Sequence, residues 1–276
     1  MKQNPFSFYD FIGYLIPGIL GVSLCYFVMV SKSSNTILTF QEFADSIPQF
    51  SIQANILLLI IAYTIGHFMS FFSSITVEKY AIWKYDYPSK FLLKIQKVKF
   101  REHFRTFHGA FWGVVIIFIL LPTVFLDFIL GYVFRFKTFY SKCLDDNLIS
   151  FIKLKILKLA SVLGFDIQNT DIAEHKSDFF RIVFHYAFEN TTNHQSKFTN
   201  YVALYGFLRT ITLILNLFFL YLLIHLTLVD YFTFWSITSL ILISLVSYVF
   251  FMAFMKFYRR YSLEGLMVLA INNKLN

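Results

Sequence analysis

The densest group of side chains able to bind a phosphate lies between residues 90 and 105. Its basic residues recur at spacings of three or four, which predicts one face of a single helix over 90–107. We expect this face to bind the phosphates of anionic lipids, because it lies close to an apolar segment. A solvated surface and a contact with nucleic acid or a nucleotide are the alternatives. The residues of this basic stripe are Lys90, Lys94, Lys97, Arg101 and Arg105.

A second set of polar residues lies inside apolar segments, where a polar group needs a partner within the protein. Asn216 falls near the middle of its segment, so we expect a hydrogen bond across a helix interface, with a pore-lining role as the alternative. Arg209 is expected to extend toward the lipid headgroups or to pair with Glu264 or Glu189. The full set of intramembrane polar residues is His67, Asp127, Arg209 and Asn216.

Arg101 and His108 come closest to a catalytic motif. Six residues separate them, and this spacing resembles the catalytic signature of the HEPN ribonucleases. The resemblance implies a membrane-anchored nuclease or lipid enzyme that uses this pair. A solvated basic helix face accounts for the same two residues without any chemistry.

Other catalytic or metal-binding patterns are missing from the sequence. The seven histidines include no pair with zincin spacing and a suitably placed glutamate. There is also no Gly-rich phosphate loop and no Ser-His-Asp order. We therefore predict a protein that is not an enzyme and that holds neither a metal nor a cofactor.

Four apolar segments define the elements that carry these residues. The chain is 57% hydrophobic and only 14% charged, which excludes an ordinary soluble domain. About 20 apolar residues in a helix cross a hydrocarbon core of ~30 Å. The sequence therefore predicts an all-α polytopic membrane protein with four transmembrane helices, at residues 8–30, 54–77, 203–228 and 232–257.

The basic residues predict the orientation of these helices. If the four segments cross, 23 of the 24 Lys and Arg lie on one side, counting Arg209, which lies one to two turns inside its segment from that side; only Lys32 lies on the other. This asymmetry is typical of an inner-membrane protein of bacteria with both termini in the cytoplasm. The predicted organisation is a first helix pair in 1–77, a basic helical cytoplasmic insertion in 78–202, and a second helix pair with a short tail in 203–276.

A fifth apolar segment, 113–134, interrupts the insertion. If it crossed the membrane, 14 basic residues would lie outside and nine inside, which reverses the usual asymmetry. Pro122 and Asp127 also lie near its middle. We predict a re-entrant or interfacial segment, with a buried hairpin of the cytoplasmic region as the alternative.

Small residues mark one face on each of the first two predicted membrane helices. Small residues at every fourth position let helix backbones approach closely in lipid. We therefore expect these two helices to pack on each other. The positions are Gly13, Pro17 and Gly21 on the first helix and Gly66, Ser70 and Ser74 on the second.

Residues 148–163 form the pattern of a basic amphipathic helix. Three lysines lie off its apolar face, a pattern that favours contact with a membrane surface or a partner. The apolar face consists of Ile149, Ile152, Ile156, Leu159 and Leu163.

Residues 8–18, FYDFIGYLIPG, are similar to the opening of a group of small bacterial membrane proteins encoded beside phage-defence genes. The group includes membrane accessory proteins of type VI CRISPR loci. The resemblance implies an accessory or effector protein that acts at the inner membrane and permeabilises it.

These observations favour a non-enzymatic membrane effector. It would form a homo-oligomer, contact anionic lipids, and meet a cytoplasmic protein or nucleic acid through its basic insertion. A channel or transporter subunit is the main alternative. That alternative requires His67, Arg209 and Asn216 to face one another along a path through the membrane.

Overall fold

The computed structural model describes residues 10–34, 40–48, 51–95, 100–164, 179–191, 194–228 and 232–272. These ranges form helices and their connections, and none of them contains a strand. The all-α fold predicted from the sequence is confirmed. In chain order the α-helices are α1 Ile16–Ser34, α2 Phe40–Ser46, α3 Ile52–Ser73, α4 Lys79–Tyr85, α5 Pro88–Leu92, α6 Phe107–Ile119, α7 Leu121–Leu126, α8 Asp146–Val162, α9 Phe179–Asn190, α10 Gln195–Leu228 and α11 Phe234–Ile271.

Short turns of other helix types complete these elements. Three of them are π-helical: Phe11–Leu15 leads into α1, Ser74–Glu78 joins α3 to α4, and Asp127–Val133 continues α7. Two are 3₁₀ turns, Phe100–Phe104 and Phe136–Phe139.

Four helical stretches are long and apolar enough to cross a membrane, as the sequence predicts. Their outward side chains are large and apolar, for example Leu57 and Leu242 at 59% and 60% exposure. So much exposed apolar surface is stable only in contact with lipid or with another apolar surface. The chain is therefore a multi-pass membrane protein. The four stretches are Phe11–Ser31, Ile52–Leu92, Gln195–Leu228 and Phe234–Ile271.

The two longest helices, α10 and α11, project beyond the membrane on one side. They contain 34 and 38 residues, which is roughly 50 Å or more at ~1.5 Å per residue. Only residues 229–233 join them, so both must reach one membrane surface at that connection. Their surplus length therefore lies at the opposite surface, at the start of α10 and the end of α11.

The first two membrane helices pack on each other through glycines, as predicted. A Cβ on Gly18 would lie 1.7 Å from the Ala62 carbonyl oxygen, and one on Gly66 would lie 1.9 Å from that of Tyr14. Only glycine permits this approach of the two backbones. Ala62 lies four residues before Gly66, so it extends the small-residue pattern of that helix.

The other predicted small residues contribute less to the contact. Gly21 approaches Ile65 at an ordinary contact distance, and nothing lies within 4 Å of a Cβ built on Gly13. Pro17 is buried. Ser70 and Ser74 use polar atoms elsewhere: the Ser70 carbonyl accepts from Arg209, and the Ser74 hydroxyl donates to the Phe71 carbonyl.

The fifth apolar segment is bent by 90° between α6 and α7. Pro122 lies in the first turn of α7, where its missing N–H breaks no intrahelical bond. The flanks of the segment meet the same end of the bundle: His103 stacks on Trp83, and Tyr140 contacts Tyr85. These flanking contacts fit the predicted re-entrant segment, which enters and leaves on one side.

The apolar face of α8 packs against the protein itself. Ile152 and Leu159 are fully buried in a cluster with Leu92 and with Leu266 and Leu269 of α11. The expected contact of this face with a membrane or a partner is therefore replaced by an internal one. Leu163, which follows the end of α8, stays exposed.

The basic stripe does not form one helix face, so that prediction is wrong. α5 ends at Leu92, and Lys94 adopts a left-handed φ of 52° that a helix cannot continue. Lys97 lies outside the described residues, and the next described element is the 3₁₀ turn with Arg101, which ends just before Arg105. Lys90 and Lys94 therefore point to different partners, described below.

Candidate functional site

An ion pair joins α10 to the π-helical turn after α3. The Arg209 guanidinium pairs with the Glu78 carboxylate, and both side chains are largely buried. The same guanidinium donates to the Ser73 hydroxyl at 3.0 Å and to the Ser70 carbonyl at 3.2 Å. Buried charges require such pairing, and the planar guanidinium can satisfy several acceptors at once.

The predicted partners of Arg209 were therefore wrong. Glu264 instead accepts from His194 at 2.6 Å and lies 3.7 Å from Lys197. Glu189 lies on the exposed side of α9. Glu78 was missed because it lies just past the predicted end of the second membrane helix, whereas the structure continues that helix through it.

Asp127 lies in a cage of tyrosine hydroxyls. Its carboxyl group is fully buried and accepts from Tyr80 at 2.8 Å, from Tyr85 at 2.6 Å and from Tyr140 at 3.0 Å. None of the ion pairs among the described residues includes Asp127. The three hydroxyls therefore replace water as its hydrogen-bond donors, and they tie the bent segment to the helix that contains Tyr80 and Tyr85.

Tyr140 lies outside the membrane-spanning stretches. Burial, followed by the nearby Asp127 carboxyl, raises the pKa of its hydroxyl well above the usual value. The hydroxyl consequently stays protonated at neutral pH and remains a hydrogen-bond donor to Asp127.

Asn216 makes the predicted hydrogen bonds across helix interfaces. Its amide nitrogen lies 2.8 Å from the Thr123 hydroxyl, 2.7 Å from the Ser247 hydroxyl and 2.7 Å from the Thr212 carbonyl one turn earlier. Its two N–H groups are shared among these three acceptors. The side chain is fully buried, so it links α10, α11 and the start of α7.

His67 has aromatic partners of its own. Its ring stacks on Tyr14 with the ring centres 3.8 Å apart, and it meets the edge of Tyr63 at 4.6 Å. Within the described part of the chain, no hydrogen bond joins His67, Arg209 and Asn216. Each belongs to a separate cluster, which is not the arrangement that a shared transport path requires.

Arg101 and His108 lie on different elements. Arg101 belongs to the 3₁₀ turn and His108 to α6, whereas the HEPN-like spacing would need one helix. The His108 Nε2 accepts from the Trp112 indole at 3.1 Å. In the described residues, no three of His, Cys, Asp and Glu converge as metal ligands.

A cleft of about 490 Å³ opens where α5, α9, α10 and α11 meet. Its volume is that of a small-molecule site. Among the described residues, its basic side chains are Lys90, Arg181 and His185. Its walls combine these groups with aromatic rings and hydroxyls: Tyr87, Pro88, Ser89, Lys90, Phe180, Arg181, Phe184, His185, Tyr205, Tyr258, Tyr261 and Ser262.

The sequence did not predict this cleft, although Lys90 was among the predicted phosphate-binding residues. The lining comes from four separate parts of the chain, 87–90, 180–185, Tyr205 and 258–262, that only the fold brings together. Lys90 also lies 3.6 Å from Asp86, which is itself mostly buried. Lys94 points elsewhere and donates to Asp146 at 2.7 Å.

One side chain of the cleft reaches the intramembrane ion pair. The Tyr258 hydroxyl lies close enough to the Glu78 carboxylate to interact with it electrostatically, and Glu78 pairs with Arg209. A series of neighbouring polar groups therefore runs from the cleft to Arg209, which in turn hydrogen-bonds to Ser73 and Ser70 of α3.

A search of protein families, curated proteins and solved structures finds no match to this chain. Its function is therefore argued from its own residues.

Proposed function

We propose that this chain is a non-enzymatic effector or accessory protein of a bacterial defence system, located in the inner membrane. The observation that carries the proposal is the position of Tyr258, which lines the cleft and lies near the Glu78 carboxylate that pairs with Arg209. A ligand that moves Tyr258 would change the acceptors around Arg209. Since Arg209 joins α10 to α3, occupancy of the cleft would change how the membrane helices pack.

The distribution of charge supports a cytoplasmic cleft. The cleft lies where α10 and α11 extend past the membrane, and it contains Lys90 and Arg181. These belong to the 23 basic residues that share one side in the four-helix topology. The positive-inside rule assigns that side to the cytoplasm.

The uncovered flank of the bundle supports assembly into a homo-oligomer. Among the most apolar 18 residues of each stretch, the buried share is 22% in Phe11–Ser31 and 17% in Ile52–Leu92, but 50% in Gln195–Leu228. The surface of α1 and α3 is thus open to lipid or to a second copy. Permeabilisation and the link to defence come from the resemblance of residues 8–18.

Dye uptake and oligomer size test this function together. We expect cells that express the activated protein to take up a membrane-impermeant dye, and we expect the detergent-solubilised protein to be oligomeric by light scattering. A protein that is strictly monomeric and leaves the membrane intact would contradict the proposal.

The matched pair Tyr258→Phe and Tyr261→Phe tests the coupling. Both tyrosines line the cleft, but it is Tyr258 that interacts electrostatically with the Glu78 carboxylate. We expect Tyr258→Phe to lose most of the dye uptake at normal abundance and Tyr261→Phe to keep it. Equal uptake by both variants would show that Tyr258 does not couple the cleft to the membrane.

Topology reporters test the orientation independently. Reporters fused after residue 170 and at the C-terminus should both give a cytoplasmic signal. An external signal at both positions would mean that segment 113–134 crosses the membrane and that the cleft is not cytoplasmic.

A further inference from the structure

The bend of the fifth apolar segment lies about halfway through the bilayer. It falls between α6 and α7, and Thr123 belongs to the first turn of α7. The Thr123 hydroxyl lies 2.8 Å from the Asn216 amide nitrogen and 2.9 Å from the Ser247 hydroxyl. Asn216 is near the middle of the membrane segment 203–228, and Ser247 is within a turn of the middle of 232–257. These contacts set the depth of the bend close to the midplane.

The lengths of the two arms of the segment give the same depth. α6 has 13 residues, and Leu121–Val133 contains six residues of α7 and seven of its π-helical continuation. Each arm is therefore ~20 Å long at ~1.5 Å per residue. Two such arms that meet at 90° and are inclined equally descend ~14 Å, which is about half of a ~30 Å hydrocarbon core. Since the flanks of both arms contact the same end of the bundle, the segment occupies one leaflet only.

The outer face of both arms is aromatic. Its rings are more than half exposed on each side of the bend, and water is absent at this depth. The face therefore needs lipid or another protein surface to cover it. The exposed rings are those of Phe111 and Phe118 on α6, Phe125 on α7 and Phe128 just after it.

Lipid is the better partner for this face, because glycines of the segment point toward the protein interior. Helices that associate within membranes pack through small residues. Gly113 and Gly131 are both buried: a Cβ on Gly113 would meet the Phe104 ring, and one on Gly131 would meet the Asp127 carboxyl. The outer face instead presents bulky rings, which fit between flexible acyl chains.

The ends of the segment carry groups suited to lipid headgroups. Near its start, the Trp112 indole donates to His108. Just past its end, the Lys137 ammonium lies 4.6 Å from the centre of the Tyr132 ring. Tryptophan, tyrosine and lysine place an apolar part in the hydrocarbon and a polar part among the headgroups. Both ends thus fit the headgroup level, in agreement with a bend at the midplane.

We infer that residues 107–133 form a wedge in the cytoplasmic leaflet, with the lipids of that leaflet covering its aromatic face. The four spanning stretches take up room in both leaflets, whereas the wedge adds area to one. An element inserted into one leaflet favours a membrane in which that leaflet is convex. The inference rests on the proposed function for the cytoplasmic side, and it names the part of the chain that disturbs lipid packing.

Fluorescence quenching by lipid tests what covers the aromatic face. A bimane label is attached at Phe118→Cys or Phe125→Cys in a full chain that also carries Cys25→Ser and Cys143→Ser. The protein is placed in phosphatidylcholine vesicles that contain nitroxide-labelled acyl chains. We expect strong quenching at both positions, because acyl chains contact both rings.

Two further label positions calibrate this quenching. Leu242→Cys labels an exposed position on α11 within the membrane, and quenching at 118 and 125 should reach at least half of its value. Phe151→Cys labels an exposed position on α8, which packs on α11 beyond the predicted end of its span; it should be quenched at least fivefold less. If positions 118 and 125 are quenched as weakly as 151, a protein surface covers the face and the inference is overturned.

Membrane tubes test the effect of the wedge on curvature. The full chain with a fluorescent label at its C-terminus is reconstituted in giant phosphatidylcholine vesicles, and vesicles with the C-terminus outward are selected. The outer leaflet of a tube pulled from such a vesicle is convex, and it is the leaflet that contains the wedge. We expect at least twofold enrichment of the protein on the tube. Equal density on tube and vesicle, or depletion from the tube, would overturn the inference.

A matched pair of double variants assigns the enrichment to the wedge. Phe118→Ala/Phe125→Ala removes volume from the wedge and should lose at least half of the enrichment. Leu57→Ala/Leu242→Ala removes equally exposed side chains from the outer halves of two spanning stretches, so it should keep the enrichment. If the first variant sorts like the wild type, or if both variants lose enrichment equally, the wedge is not its source and the inference fails.

The same preparations separate this inference from the proposed function. Enrichment on tubes without dye uptake by cells would leave the wedge standing and count against the effector function. Dye uptake by cells without enrichment on tubes would overturn the wedge and leave the effector function standing.

Discussion

The cage around Asp127 and the cleft beside Tyr258 use the same kinds of side chain for opposite purposes. In the cage, a charged group is fully enclosed and three tyrosine hydroxyls donate to it. In the cleft, cations and tyrosines line a cavity of about 490 Å³. Polar groups that satisfy one another hold helices in place, whereas polar groups around a cavity border open space between the helices.

The Glu78–Arg209 pair shares a feature with each of these regions. It is enclosed like the cage, since both side chains are largely buried. It also lies near Tyr258, which lines the cleft. The comparison therefore predicts large losses of stability from changes in the enclosed groups and small ones from changes in exposed groups.

The largest loss is expected for Arg209→Met. It leaves the Glu78 carboxylate buried without its partner, and breaking a buried ion pair costs about 3–5 kcal/mol. The double variant Glu78→Gln/Arg209→Met should recover much of this loss, because no charge then stays unpaired. Thermal unfolding in detergent measures both. If the single and double variants unfold at the same temperature, the loss of stability does not come from an unpaired Glu78 carboxylate.

Asp127→Ala should rank next, since it removes the shared acceptor of three buried hydroxyls. Each hydroxyl left without a partner costs about 1–3 kcal/mol of stability. The total loss is smaller if the Tyr85 and Tyr140 hydroxyls keep their hydrogen bond to each other. Asp127→Asn keeps an acceptor oxygen and should lose less. Gly131→Ala gives a matched test, because its Cβ would lie 2.5 Å from Asp127 Oδ1. If these variants are as stable as the wild type, the hydrogen bonds to Asp127 do not contribute to the stability of the fold.

Asn216→Leu is expected to cost less, roughly 0.6–2 kcal/mol, the range for interhelical hydrogen bonds in membranes. The Thr123 and Ser247 hydroxyls lie 2.9 Å apart and can still bond each other when the amide is gone. Abundance and thermal stability should fall slightly, without a change in any solute flux. Altered flux at unchanged abundance would instead support the channel alternative.

The sequence predicts those parts of the structure that depend on local pattern. The four membrane helices follow from long apolar runs, although three of the helical stretches in the structure, at 41, 34 and 38 residues, extend well beyond those runs. Asn216 is expected to form a hydrogen bond across a helix interface, because a side-chain amide in the lipid core has no water to bond to. The α1–α3 contact followed from small residues at every fourth position, although Gly18 contributes more than the predicted Gly13.

The parts that depend on distant contacts could not be predicted in the same way. The tyrosines around Asp127 come from positions 80, 85 and 140, and no spacing rule relates them. From the sequence, Glu264 and Glu189 are the expected partners of Arg209, and the fold instead brings Glu78 to it. The prediction of one helix for the basic stripe is wrong for a local reason. A regular spacing of charged residues does not reveal a turn such as the one at Lys94.

The smallest effect is expected at an ion pair of the opposite kind, Lys94 with Asp146, which lies on the surface. Its hydrogen bond to the Asp146 carboxylate raises the pKa of Lys94 above the ordinary 10.5. Protonation of Lys94 is thus favoured in the folded state. Any stabilisation by the ion pair is therefore complete below pH 10.5 and is lost as the pH rises through the raised pKa of Lys94.

With its lysine and aspartate side chains 46% and 82% exposed, the pair is well screened by solvent. Lys94→Met should therefore unfold at the same temperature as the wild type at pH 7, in low and in high salt. A loss as large as that of Arg209→Met would break the comparison, because it would show that enclosure does not decide which polar contacts hold this bundle together.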